Sequence, residues 1–332
     1  MYSAQYTSDL PTTSEIPKKV VTTSKLPKST VTTHKLPVSN DVVNNKSYDI
    51  VDKLGLNSDK IGNQALTYNQ RFNRNSMGIS VDEMIDKLNN KGLLKNYKDK
   101  INDIDILYAK GEGAGVIHHD VSHVERVMLY SMYMGDELGL SAHEMNMLSD
   151  AAKYHDIGVF AGHSGHSIRS AQSALENLNK SYSKDDLNKI AAIIEYHELN
   201  DSLENFNFIM NKYNISSSDS KDVLKIANIL KDADAIDRTR FANNLDTRYF
   251  RNKDQANNLV KASYQMQEIQ AKQILDEKIN NGSFNEHEIR DIMAYRNTGI
   301  PDYVIYESYS TYNGWGFSSP LDMIDYWMKG AI

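Results

Sequence analysis

The sequence contains no cysteine, which excludes disulfide bonds and thiolate metal sites. Proline is scarce, since there are six in 332 residues and four of them precede residue 40. No apolar run approaches the roughly 18 residues of a membrane-spanning helix. The first residues have neither the charged nor the apolar region of an ordinary secretory signal. We therefore expect a cytoplasmic protein with no membrane partner, while non-classical export stays open.

Positive charge is also in deficit, because the chain has 37 Lys and Arg residues but 44 Asp and Glu residues, which gives a net charge of −7. This balance argues against general nucleic-acid binding through phosphates, although a local basic pocket stays compatible with it. The hydrophobic content of 40% and the charged content of 24% are typical of a soluble globular protein.

Residues 1–46 form a distinct segment in which a proline-containing decapeptide recurs. TTSEIP begins at Thr12, TTSKLP at Thr22 and TTHKLP at Thr32. Proline at this density opposes helix, and a Thr, Ser and Lys background cannot build a core. We predict a disordered or extended tail, with docking of a protein partner as the alternative.

From about residue 47 the pattern is helical, and no alternating strand runs are visible, so we predict an all-α fold. We expect an N-terminal helical extension over 47–105, a core domain over 106–250 and a C-terminal helical extension over 251–332. Helix starts are expected at Ser80, Ser141, Ser183 and Ser220. The helix that starts at Ser141 is expected to end at Gly158. The segment 307–320 is predicted to be a loop before a closing helix.

Eight of the ten histidines fall between His118 and His197. Helical periodicity places His123, His155, His197 and Asp234 on the apolar faces of four different helices. Burying one unpaired polar group costs about 2–7 kcal/mol, and a carboxylate costs far more. One such residue is ordinary, but four favour a shared explanation. A divalent cation provides it, because it neutralises aspartates and takes imidazole lone pairs.

Three stretches resemble the HD-domain superfamily of metal-dependent phosphohydrolases: HDVSHVERV at 119–127, AAKYHDIG at 151–158 and LKDADAIDR at 230–238. The H…HD…D signature of that family falls on His123, His155, Asp156 and Asp234. The resemblance covers roughly residues 105–250. It implies an HD-domain helical core in which these four side chains hold a metal.

Some members of the superfamily hold two metals bridged by the HD aspartate, with further histidines between the HD pair and the last Asp. His166 and His197 lie where those ligands would fall. A second-metal role, a contact to substrate phosphate and a structural role stay open for both. The resemblance thus implies one or two divalent ions, such as Mn, Fe or Mg.

The predicted reaction is hydrolysis of a phosphoester, in a nucleotide or another small phosphorylated molecule, by a metal-activated water. Asp156 would orient or bridge the nucleophile. A histidine among His119, His163 and His166 would protonate the leaving oxygen. His163 has an alternative as an ordinary loop residue.

Four cationic side chains are candidates for substrate contact, because guanidinium and ammonium groups beside a metal suit a phosphate: Arg126, Lys153, Arg238 and Arg240. The alternatives are a structural ion pair for Arg126 and a solvated side chain for Lys153.

The subfamily is less well defined by the motifs. The Glu-Asp pair of guanosine polyphosphate hydrolases and the Gly-Tyr-Pro motif of cyclic-di-GMP phosphodiesterases are absent. The pattern is most similar to bacterial HD proteins whose substrates are mostly unassigned. Two other functions stay open: an HD-fold diiron oxygenase, and an effector module that docks a partner through the tail.

Overall fold

The computed structural model describes residues 78–101, 121–241 and 245–329. Within these ranges it contains twelve α-helices and no β-strand, so the all-α prediction is confirmed. The predictions for the tail 1–46 and for His119 lie outside the described residues. The predicted boundaries of the three helical segments stay predictions.

The described helices are α1 Val81–Asn90, α2 Leu93–Ile101, α3 Val121–Glu137, α4 Ala142–Tyr154, α5 His166–Asn177, α6 Lys184–Tyr196, α7 Leu203–Lys212, α8 Ser220–Ile236, α9 Lys253–Asn280, α10 Glu286–Asn297, α11 Asp302–Thr311 and α12 Pro320–Lys329. Three 3₁₀ helices lie between them, at Ile157–Ala161, Asp237–Phe241 and Thr247–Tyr249.

Three helix starts that carry a side-chain cap lie where the sequence predicts them. Ser80 and Ser141 each form a reciprocal capping box with the glutamate three residues on, at α1 and α4. Ser183 accepts a hydrogen bond from the backbone N–H of Asp186 at α6. A cap of this kind stabilises a helix by about 1 kcal/mol, so these starts are determined locally.

The structure differs from the prediction in three respects. The helix α4 ends at Tyr154, and Gly158 lies inside the following 3₁₀ helix. The helices α5 and α7 were not predicted. The predicted loop from residue 307 begins inside α11, where Glu307, Ser308 and Thr311 are buried. Polar residues of this kind are typical of a surface loop. In the structure, packing against the neighbouring helices determines the conformation of the segment instead.

The main hydrophobic core lies between α3, α4, α6 and α8. Its fully buried side chains come from the apolar face of each helix and include Tyr130, Leu148, Ile190, Ile194 and Leu230. The histidines and aspartates at the ends of these same faces are thereby brought to one end of the core.

The long helix α9 contributes to two hydrophobic cores. Its first half packs on the main core through Ala256 and Leu259. Its second half packs through Ala271 and Leu275 on a second core formed with α10, α11 and α12. With 28 residues the helix is about 42 Å long. None of the described helices combines the length and apolar composition needed to cross a bilayer.

Candidate metal centre

The predicted ligands lie at helix ends. His155 and His197 are the C-cap residues of α4 and α6, and Asp234 is in the last turn of α8. His166 is the first residue of α5. The C-terminal end of a helix carries partial negative charge, which favours a cation. The ends of three helices therefore favour positive charge at this place.

A first group consists of His123, His155 and Asp234, whose ligand atoms all lie within 4.8 Å of one another. Nε2 of His123 is 3.2 Å from Nε2 of His155. The same Nε2 is 3.4 Å from Oδ1 of Asp234. Both histidines have 0% exposure, whereas the Asp234 side chain is 34% exposed. The group therefore opens to solvent on the Asp234 side.

A second group consists of Asp156, His166 and His197, again with all ligand atoms within 4.8 Å of one another. Nε2 of His166 is 3.3 Å from Nε2 of His197. Oδ1 of Asp156 is 3.2 Å from the first of these nitrogens and 3.6 Å from the second. Each group can hold a divalent cation through nitrogen and oxygen ligands.

Asp156 lies between the two groups. Its Oδ2 is 3.2 Å from Nε2 of His123 and 3.3 Å from Nε2 of His155. Its Oδ1 faces the second group instead. One carboxylate thus presents one oxygen to each group, which is the geometry of a bridging ligand. The structure brings all six predicted metal ligands together around this residue.

The tautomers of the four histidines are set by their other ring nitrogens. Each of the four Nδ1 atoms has an acceptor. Nδ1 of His123 is 2.8 Å from Asp237 Oδ2, and Nδ1 of His155 is 2.8 Å from the Ala152 carbonyl oxygen. Nδ1 of His166 is 2.8 Å from the His163 carbonyl oxygen, and Nδ1 of His197 is 2.5 Å from the Ile194 carbonyl oxygen. Since a neutral imidazole has one donor and one acceptor, every Nε2 presents a lone pair to the centre. Facing lone pairs need a proton or a cation between them, so the donor set fits a metal.

The electrostatics of the site agree with this requirement. Burial alone would lower the pKa of His155, but the Asp156 and Asp234 carboxylates raise it to about 9. Burial would raise the pKa of Asp234, but His123 and His155 hold it below its ordinary value. The Asp234 carboxylate therefore stays ionised and attracts positive charge, whether carried by a proton or by a metal.

Asp237 was not predicted as a site residue, although it follows Asp234 by one helical turn. It has 0% exposure. Its Oδ2 accepts from Nδ1 of His123 at 2.8 Å, and its two oxygens accept from Nε and Nη2 of Arg126 at 2.6 and 2.9 Å. These donors hold the pKa of Asp237 far below its usual range, against the effect of burial. The signal in the sequence was its position on the same face as Asp234.

The turn after Asp156 packs tightly on the start of α5. Gly158 donates its N–H to Ser170 Oγ at 2.9 Å and accepts from Arg169 Nε at 2.8 Å through its carbonyl. A Cβ at Gly158 would lie 2.3 Å from the His166 carbonyl oxygen. Glycine is therefore required here by close approach. The contact sets the position of Asp156 relative to His166.

The four predicted cationic contacts have different surroundings. The structure supports the ion-pair alternative for Arg126, whose guanidinium binds Asp237 and also contacts Gln270. Lys153 is buried, with Nζ 5.9 Å from the centroid of the Tyr154 ring, so the solvated alternative was wrong. Arg238 is exposed, whereas Arg240 is 9% exposed with Nη1 at 3.3 Å from Asp237.

The remaining predicted acid, His163, is exposed in the loop before α5. Its ring centroid is 6.5 Å from that of His166. Asp232 lies outside both groups, because its carboxylate accepts from the backbone N–H of Arg251 and of Asn252 at the start of α9.

Residues 120–239 match the family model of the HD domain. The chain therefore contains an HD domain, the fold of a superfamily of metal-dependent hydrolases. No curated protein and no solved structure matches the chain.

Proposed function

We propose that this protein is a phosphohydrolase that uses two divalent cations to cleave a phosphoester in a small phosphorylated molecule. The observation that carries the proposal is the position of Asp156, with one carboxylate oxygen toward each of two His-containing groups. A pair of cations in such an arrangement supplies an ionised water at neutral pH and offsets negative charge on the phosphoryl oxygens.

The ligand set fits transition metals better than Mg²⁺. Four imidazoles and two carboxylates suit Mn²⁺ or Fe²⁺, whereas Mg²⁺ prefers oxygen ligands and retained waters. His123, His155 and Asp234 would hold one cation, and His166 and His197 the other, with Asp156 shared. The Nδ1 hydrogen bonds keep each ring in the orientation that this requires.

Two arginines next to Asp234 are suited to a phosphate. Arg240 is nearly buried, and its Nε has no hydrogen-bond partner among the described residues. Its charge also contributes to the lowered pKa of Asp234. A buried unpaired donor beside a cation site is well placed to take a phosphoryl oxygen. Exposed Arg238 would contact the part of the substrate nearer to solvent.

The leaving oxygen needs a proton as the ester bond breaks. His163 is exposed in the loop that leads into α5 and lies beside His166. Its carbonyl accepts from Nδ1 of His166 at 2.8 Å, which ties the loop to the second group. We assign the proton to the His163 ring, which is not needed as a metal ligand.

The same ligand set also supports a second function, oxygenation by a pair of irons. Two His-containing groups that share one carboxylate suit bridged iron as well as bridged manganese. Iron content near two per chain, with oxygen consumed on an alcohol-bearing substrate, would favour this function over hydrolysis.

Hydrolysis of p-nitrophenyl phosphate and of bis(p-nitrophenyl) phosphate by the Mn²⁺-loaded chain tests the proposal and separates monoester from diester activity. We expect His166→Gln to lower the rate by roughly 100-fold, as for loss of a charge-stabilising group. His143→Gln is the matched control, because His143 is an exposed histidine bonded to Asp186. Failure of the Mn²⁺-loaded wild type on both esters, together with oxygen uptake by the iron-loaded wild type on an alcohol-bearing substrate, would replace hydrolysis by the iron chemistry.

A further inference from the structure

A stripe of polar side chains lies on α9, a helix that begins after the HD match at 120–239. Ser263, Gln267 and Gln270 follow one another by four and three residues, so they share one face of the helix. Ser263 is 0% and Gln267 is 6% exposed. Buried polar groups cost free energy unless they are paired, so their partners explain why they are there.

The partners of this stripe lie at or next to Asp237, which contacts His123 of the first metal group. Gln267 Nε2 donates to Asp237 Oδ1 at 3.0 Å. Gln270 accepts from Nη1 of Arg126 through its Oε1. Ser263 Oγ lies 2.7 Å from Oγ1 of Thr239, and Thr239 belongs to the same 3₁₀ helix as Asp237. All three contacts therefore reach Asp237, its partner Arg126 or the short helix that holds it.

We propose that Gln267 is a positioning residue for the metal ligand His123. It holds the Asp237 carboxylate, which receives Nδ1–H of His123 and so directs Nε2 toward the cation. Asp237 Oδ1 accepts hydrogen bonds from Arg126 Nε and Gln267 Nε2, which approach from different helices. Without Gln267 the carboxylate can turn on its bond to Arg126, and the His123 ring turns with it.

This inference rests on the cation site of the proposed function and not on its phosphoester chemistry. It means that the metal site extends beyond the HD match into α9. Loss of an outer partner of a metal-bound histidine typically lowers metal affinity 10–100-fold. Because Gln267 acts through Asp237, we expect roughly a tenfold loss, at the lower end of that range.

The test is a Co²⁺ titration of the full-length, metal-free chain, followed by visible absorption. A His166→Gln background leaves the first group as the site that is measured. Gln267→Met removes the amide and keeps a side chain of similar length. Gln265→Met is the matched control, since Gln265 on the same helix accepts from the Val81 N–H at 2.9 Å and does not contact Asp237.

We expect Co²⁺ affinity to fall roughly tenfold in Gln267→Met, with altered absorption bands, and to be unchanged in Gln265→Met. Equal affinity in both variants, or an equal loss, would overturn the positioning role. If Gln267→Met does not fold, Gln267→Asn replaces it, because its shorter side chain withdraws the amide from Asp237. The same loss of Co²⁺ affinity is then expected, and the same results would overturn the positioning role.

The proposal and the proposed function can fail separately. A chain that binds Co²⁺ as expected but cleaves neither ester removes the phosphohydrolase assignment and leaves the positioning role intact. A chain that cleaves an ester while Gln267→Met binds Co²⁺ like the wild type removes the positioning role alone. A wild-type chain that binds no Co²⁺ overturns both.

Discussion

Nε2 of His123 lies 3.2 Å from Nε2 of His155, and in neutral rings that donate through Nδ1 both atoms are acceptors. Each ring donates through Nδ1, to Asp237 in one case and to the Ala152 carbonyl in the other. Two lone pairs at this distance repel unless a positive group lies between them. The centre is thus built to hold a cation, and the Asp156 carboxylate beside both nitrogens strengthens that preference.

Asp237 couples the candidate metal ligand His123 to the buried Arg126, so Asp237→Asn should affect both stability and metal binding. A buried arginine that loses its carboxylate costs about 3–5 kcal/mol of unfolding free energy. Replacing the anionic acceptor of His123 Nδ1–H by a neutral amide should also lower metal affinity about 10–100-fold. Urea unfolding and Mn²⁺ titration measure the two effects.

Asp232→Asn is the control for this variant. Asp232 is also 0% exposed and arginine-paired, but its partner is Arg251 at the start of α9. We expect it to lose stability and keep its Mn²⁺ affinity. Equal losses of affinity in the two variants would show that Asp237 has only a structural role.

Gly158→Ala should disturb the second metal group. The added Cβ would lie 2.3 Å from the His166 carbonyl oxygen and 2.8 Å from the Ser170 backbone nitrogen, so the start of α5 must shift. Overpacking of this kind costs about 1–3 kcal/mol. We expect lower stability in urea and loss of one bound cation. Gly314→Ala is the control, because its nearest atom is at 3.4 Å, and an unchanged Gly158→Ala protein would contradict the prediction.

The buried Glu307 should make stability fall as pH rises. Burial raises its pKa from 4.5 to about 7, against the opposing effects of Thr311 and Arg240. The folded chain holds this proton between pH 4.5 and 7 while the unfolded chain releases it, so stability is lost across that window. Glu307→Gln removes the titration. The unfolding free energy of the Glu307→Gln variant minus that of the wild type should rise by about 3 kcal/mol between pH 4.5 and 7. A relative free energy that stays constant across this range would contradict the assignment.

The sequence predicted those parts of the fold that depend on local signals. Capping boxes marked Ser80 and Ser141, and apolar periodicity placed His155 on the buried face of its helix. The start of α5 could not be predicted because its N-cap is Gly165. This glycine has a left-handed backbone conformation and no side chain that could form a capping hydrogen bond. Glycine of this kind is read from the sequence as a loop.

The outer part of the metal site could not be predicted because its partners are far apart in the sequence. Asp237 contacts His123 and Arg126 from more than one hundred positions away, and Gln267 completes the set from α9. Helical periodicity shows which face of one helix is buried, but not which residues of another helix meet it. The six candidate ligands could be predicted because a family resemblance added order and spacing to the periodicity.

Metal content tests the central claim most directly. The chain, loaded with Mn²⁺ and freed of excess ion by gel filtration, should retain about two ions per chain by elemental analysis, as expected for a carboxylate-bridged pair. Asp156→Ala removes the oxygens that face both groups and should retain fewer than one. Equal metal content in wild type and variant would contradict the account.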